Sequence, residues 1–131
     1  MSANFVKPTA SEVSEFRLRA PAAVPNAYLA YLQEHGAAQL DVPGIGSGLV
    51  WFWPLSEVIG LNEGYGIADF APGLFAFGTD GVGQLYVFDL RDPQSVSVGD
   101  VPSIPLELSE YRVLASSFER FAQELSRGIP A

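Results

Sequence analysis

The sequence predicts one domain of mixed helices and strands, built around a central β-hairpin. Three observations predict it. First, two apolar runs, Leu74 to Phe77 and Leu85 to Phe88, flank a turn rich in glycine (Gly78, Gly81, Gly83). Aromatic and β-branched residues in both runs, with backbone freedom between them, mark a hairpin with a loop longer than two residues. Second, Phe118, Phe121, Ala122 and Leu125 recur at i, i+3, i+4 and i+7, the face of an amphipathic helix. Third, 131 residues with 48% hydrophobic and 17% charged suit a single folded core, while 13 glycines and 10 prolines favour short elements over long helices. In the hairpin, Phe75 and Phe77 share one face, as do Leu85 and Val87. Both alternate sets are mostly apolar, so both faces should be covered.

The remaining elements follow in chain order. Residues 1–10 read as a loose arm ending at Pro8. Thr9 and Glu12 have the spacing of a capping box for a helix through about Arg19, stopped by Pro21. Val24-Pro25 opens a second helix carrying Tyr28, Leu29 and Leu32, with Gly36 as its left-handed terminator. Residues 41–48 read as a flexible connection. Leu49 to Leu55 reads as a strand that ends at Pro54. Trp51 and Trp53 lie on one parity of it; packing under a helix is preferred over lining a groove, because aromatics at this density bury. Ser56 is placed to cap a short helix through about Leu61, and Asn62 to Gly66 form a loop. Beyond the hairpin, residues 95–98 read as a short strand with a turn at Gly99-Asp100, and Ile104 to Leu108 as a sheet edge broken by prolines. Ser116 and Glu119 form the capping box of the terminal helix.

Charge narrows the function more than it narrows the fold. Fifteen acids against seven bases leave a net charge of −8. Between Ala20 and Leu90 there is no lysine or arginine, yet Glu34, Asp41, Glu57, Glu63, Asp69, Asp80 and Asp89 lie there. Such a block repels a nucleic acid backbone and attracts a basic protein; solubility alone is the plainer reading. The chain contains no cysteine, which excludes disulfides, thiolate metal sites and a cysteine nucleophile. The N-terminus lacks a secretory apolar core, and the longest apolar run, Leu49 to Leu55, is far short of the about 20 residues of a membrane span. A soluble, cytoplasmic protein with no membrane contact is expected.

No catalytic constellation emerges. Gly44, Gly46 and Gly48 lead into a strand and not a helix, and no lysine follows, so they match neither a dinucleotide fingerprint nor a P-loop. The turn Gly78 to Gly83 holds one carboxylate, Asp80, where a calcium loop needs several. His35 is the single histidine and sits in a last helical turn, where its charge suits the helix dipole. Paired carboxylates for hydrolysis are not selected by any spacing. No enzyme, cofactor or metal is expected.

The order of these features resembles the SUKH superfamily, which includes a yeast cell-wall synthesis regulator and many bacterial immunity proteins. The resemblance runs from about Val24 to Leu125. Its most specific parts are Pro72-Gly73 with the run Gly78-Thr-Asp80-Gly-Val-Gly83, and the closing Ser117-Phe118-Glu119-x-Phe121; a short Ser-Glu helix with an Asn-x-x-Tyr-like tail precedes them. Gln84 stands where the family often has aspartate, and His35-Gly36 replaces its usual asparagine–glycine. The resemblance implies an α+β domain with a twisted, mainly antiparallel sheet and helices packed against it. It also implies action through protein contact: an immunity protein that binds and occludes a cognate toxin, often a nuclease. The acidic block suits a basic toxin of that kind. Glu57, Glu63, Asp69 and Asp80 are the expected contact acids, with Tyr65 as aromatic anchor. A regulatory or scaffold module unconnected with toxins is the alternative. A small-ligand protein with a pocket beneath Trp51 and Trp53 is a third reading.

Overall fold

The computed structural model describes residues 6–130. Its order is α1 (Ala10–Arg19), α2 (Asn26–His35), β1 (Gln39–Asp41), β2 (Leu49–Phe52), α3 (Leu55–Tyr65), α4 (Ile67–Phe70), β3 (Leu74–Thr79), β4 (Gln84–Asp89), β5 (Ser97–Pro102), β6 (Arg112–Ala115), α5 (Phe118–Leu125) and β7 (Ile129–Pro130). A 3-10 turn, Leu108–Glu110, precedes β6. The strands form one antiparallel sheet in the order β6-β5-β4-β3-β2-β1-β7, with the predicted hairpin at its centre. The chain is therefore an α+β domain.

The hairpin register decides what each face carries. Phe75 stands opposite Phe88, and Ala76 opposite Val87, before a register shift between Ala76 and Gly78. Phe75, Phe77, Tyr86 and Phe88 meet the helices. The Tyr28 ring of α2 lies 5.2 Å from Phe88 and 5.8 Å from Phe118 of α5, while Phe16 of α1 reaches Phe75 at 6.1 Å. These edge and tilted ring contacts add to the burial of large apolar area. Leu85, Val87 and Val101 point the other way and are also fully buried. On that side Tyr111, just before β6, lies across Gly99 and its hydroxyl meets Ser97 at 2.8 Å. Both faces of the hairpin are covered, as expected.

Tyr28 is fully buried, and its hydroxyl meets no partner among the described residues. Burial pushes its phenol well above the ordinary value. Tyr28→Phe is therefore expected to leave thermal stability unchanged or raise it by about 1 kcal/mol. A clear loss in a denaturation curve would mean that the hydroxyl has a buried partner.

Several boundaries differ from the sequence reading. Of the expected arm, residues 1–5 lie outside the described residues, whereas the Val6 carbonyl accepts the Ala37 N–H at 2.8 Å. The Thr9–Glu12 capping box is present in both directions. Gly36 does end α2 with positive φ (+82°), but ψ is extended, a combination only glycine holds without strain. The expected connection at 41–48 begins inside β1, and its remainder is a tight turn holding buried Ile45. Ser117, not Ser116, caps α5 by accepting the Arg120 N–H. Ser56 does not cap α3, whose N-cap position is Pro54. That helix runs past Leu61 to Tyr65, and a left-handed Gly66 turns the chain into α4 where a loop was expected. Gly99-Asp100 is no turn but the middle of β5, and the sheet edge is β6 and not residues 104–108. The tryptophans separate: Trp53 is buried and stacks on Tyr65, whereas Trp51 packs on Gly81 of the hairpin turn.

Candidate functional site

The candidate surface is the elbow made by α3 and α4, and a single asparagine positions it. Strand β2 ends at Phe52, which leaves the Ala76 backbone without a strand neighbour on that side. Asn62 takes the vacant place. Its Oδ1 accepts the Ala76 N–H at 2.8 Å, and its Nδ2 donates to the Ala76 carbonyl at 2.8 Å and to Val58 at 2.9 Å. A side-chain amide thus completes the β-ladder and fixes the rotation of α3. With Val58 and Asn62 turned inward, helical spacing sends Glu57 and Glu63 outward.

Four of the five residues singled out in the sequence sit on this elbow. Glu57 is in the first turn of α3 and Glu63 in its last; Asp69 is on α4, and all three are exposed. Tyr65 is 41% exposed and its ring stacks 6.0 Å from Trp53 with an interplanar angle of 7°. No lysine or arginine forms an ion pair with Glu57, Glu63 or Asp69 among the described residues. Glu63 and Asp69 flank one groove of about 660 Å³ between the elbow and β3. Sequence reading missed Phe70, which is 63% exposed beside them. Nothing in its local pattern separates it from a core phenylalanine.

Asp80 does not belong to this surface, which corrects the expectation that it is an exposed contact acid. Only 1% of it is accessible. Its Oδ1 accepts the backbone N–H groups of Val82 at 2.8 Å and Gln84 at 3.0 Å, closing the hairpin turn from inside. Aspartate before glycine in a turn commonly bonds backbone two residues on, so Asp80-Gly81 did carry the signal of this role.

A second buried carboxylate escaped the sequence reading altogether. Asp100 is 1% exposed and receives both Nε and Nη2 of Arg112, at 3.0 and 2.7 Å. Tyr86 stands opposite Asp100 and donates to the Leu49 carbonyl at 2.6 Å. Burial, then the charges of Asp80 and Asp100, push the Tyr86 phenol up, so it stays a donor. The arrangement ties edge strand β6 to the sheet and β2 to the hairpin. His35 lies half-exposed on the surface, 4.6 Å from the Tyr31 ring and 3.8 Å from Glu34.

One feature of the elbow has no local structural cause. Gly60 and Gly64 lie on the exposed side of α3, and a Cβ at either would meet nothing within 4 Å. Glycine inside a helix is less stable than alanine by roughly 0.5–1 kcal/mol. Gly60→Ala should therefore raise stability by about that amount, with a smaller gain from Gly64→Ala near the helix end. Chemical denaturation of both variants checks the prediction.

No helix among the described residues is long and apolar enough to cross a membrane. A comparison with curated proteins finds no match. A model of the SMI1 / KNR4 family (SUKH-1) matches residues 7–124, a span that takes in the capped first helix, the hairpin and nearly all of α5. The chain belongs to the SMI1 / KNR4 family (SUKH-1).

Proposed function

We propose that this protein is an immunity protein that binds a cognate bacterial toxin and occludes its active site or substrate groove. Membership of the family supports a toxin-immunity or related role exerted through protein partners. The observation that carries the finer reading is the elbow itself. Exposed Glu57, Glu63 and Asp69 have no cationic partner among the described residues, and Tyr65 and Phe70 stand exposed among them. Desolvating unpaired acids against a basic partner gives orientation and speed, and large aromatics supply the buried contact. A nuclease is the toxin class that fits best. It presents positive charge to its own substrate, so an acidic surface is steered to the same groove and blocks it. The protein would act in the cytoplasm, with no cofactor and no chemistry of its own.

The test uses the protein as bait in its own host, followed by a salt titration of what it holds. A basic toxin released steeply by salt supports the reading. Recovery of only non-toxin partners moves the function to the regulatory or scaffold alternative. The triple variant Glu57→Lys, Glu63→Lys, Asp69→Lys should fold normally and bind the toxin on the order of 100-fold more weakly, mainly through slower association. Unchanged affinity would remove the elbow from the interface.

A further inference from the structure

Resting on that reading, we propose that the groove between α4 and the start of β3 is the anchor pocket of the interface. Its occupant is one large apolar side chain of the partner, flanked by lysine or arginine. The inner wall is apolar: Ile67, Leu74 and Phe75 are buried, and Ile59 and Leu90 are half-buried. Several of its polar groups are already engaged. The Asn62 amide is bonded to Ala76 and Val58, the Gly66 N–H to Glu63, the Leu74 N–H to Ala71 and the Leu90 N–H to Gly73. A small polar ligand would find little inside to orient it, since such sites rely on a few convergent polar groups. An apolar side chain needs none.

Charge at the mouth selects what flanks that side chain. Glu63 and Asp69 line the groove from different helices, and neither has a cationic partner among the described residues. The one base lining it, Arg19, has Glu15 at 4.0 Å one helical turn back. The mouth is therefore net acidic, and complementary charge means lysine or arginine on either side of the anchor. A central apolar anchor ringed by polar contacts is how interfaces concentrate their binding energy. Phe70, exposed just outside, extends the apolar contact beyond the pocket.

Random peptides displayed on phage, selected on the full chain and counter-selected on Ala68→Trp, test this. Ala68 is exposed and lines the groove, so tryptophan there fills the pocket without changing charge, and a thermal melt confirms folding. Selected peptides are expected to carry one aromatic or large aliphatic residue between basic ones. Their binding should fall at least about tenfold on Ala68→Trp. The isosteric pair Glu63→Gln, Asp69→Asn should also weaken it about tenfold and flatten its salt dependence. Peptides without the apolar residue, or equal binding to Ala68→Trp, overturn the proposal. So does an Ala68→Trp chain that still holds the captured toxin while the triple-lysine chain has lost it; that outcome removes the groove and leaves the proposed function standing.

Discussion

Replacing Gly99 with alanine is expected to destabilise the protein by about 3 kcal/mol, the upper end for overpacking a well-filled site. Gly99 lies in the middle of β5, opposite Val113 of β6. A Cβ there would enter the Arg112 carbonyl oxygen and would lie 2.7 Å from Cζ of the Tyr111 ring. The carbonyl is backbone, so it yields only if β6 moves off β5. The Tyr111 ring yields only by losing its bond to Ser97 and uncovering the second face of the sheet. Displacement of β6 also carries Arg112 away from Asp100, whose buried carboxylate has no other cation paired with it among the described residues. Leaving a buried charge unpaired is among the costlier single defects. The melting temperature should fall by roughly 10 °C. Amide exchange should speed up first at residues 112–115. A full retention of stability would mean that the β5–β6 contact is looser than its register implies.

Asp80→Ala should cost about 2–4 kcal/mol, because two backbone donors lose a charged acceptor at a site closed to water. The Val82 and Gln84 N–H groups would be left pointing at an empty space, and the turn would lose the bond that sets its shape. Asp80→Asn keeps one oxygen acceptor, so its cost should be the smaller of the two. Lysine at this position would add a buried charge and should be worse than alanine. None of these changes should alter the affinity of the folded fraction for the proposed protein partner, since Asp80 is not at the surface. Calorimetric melts and binding measured on the same preparations separate the two effects. A large loss of affinity without loss of stability would return Asp80 to the interface.

The opposite fates of Asp69 and Asp80 show where sequence reasoning stops. Both are lone acids in a stretch without bases. One stands on a four-residue helix beside a groove; the other is folded under a hairpin turn. The difference comes from what packs over each, and a local pattern contains no term for that. Gly99-Asp100 failed for the same reason. As a dipeptide it has turn chemistry, but in the fold Gly99 makes room for Tyr111 and Asp100 answers Arg112, twelve residues on. Helix α3 outran its expected end because Asn62, read as the start of a loop, is anchored to Ala76 fourteen residues later. Phe70 was overlooked because an exposed phenylalanine looks like a buried one until its surroundings are known.

Alone, the sequence determined what depends on neighbours a few residues apart. The central hairpin follows from two apolar runs around glycines, the first helix from Thr9 with Glu12, and the last from the stripe of Phe118, Phe121 and Leu125. Periodicity, capping and turn chemistry act over one turn of helix or one pair of strands, so they are legible in order along the chain. Only the tertiary structure decided which acids are exposed, which strands form the edges, and that Glu63 and Asp69 meet at one groove. Those outcomes depend on which distant side chains exclude water from a given atom, and burial of that kind belongs to the packed sheet and helices together.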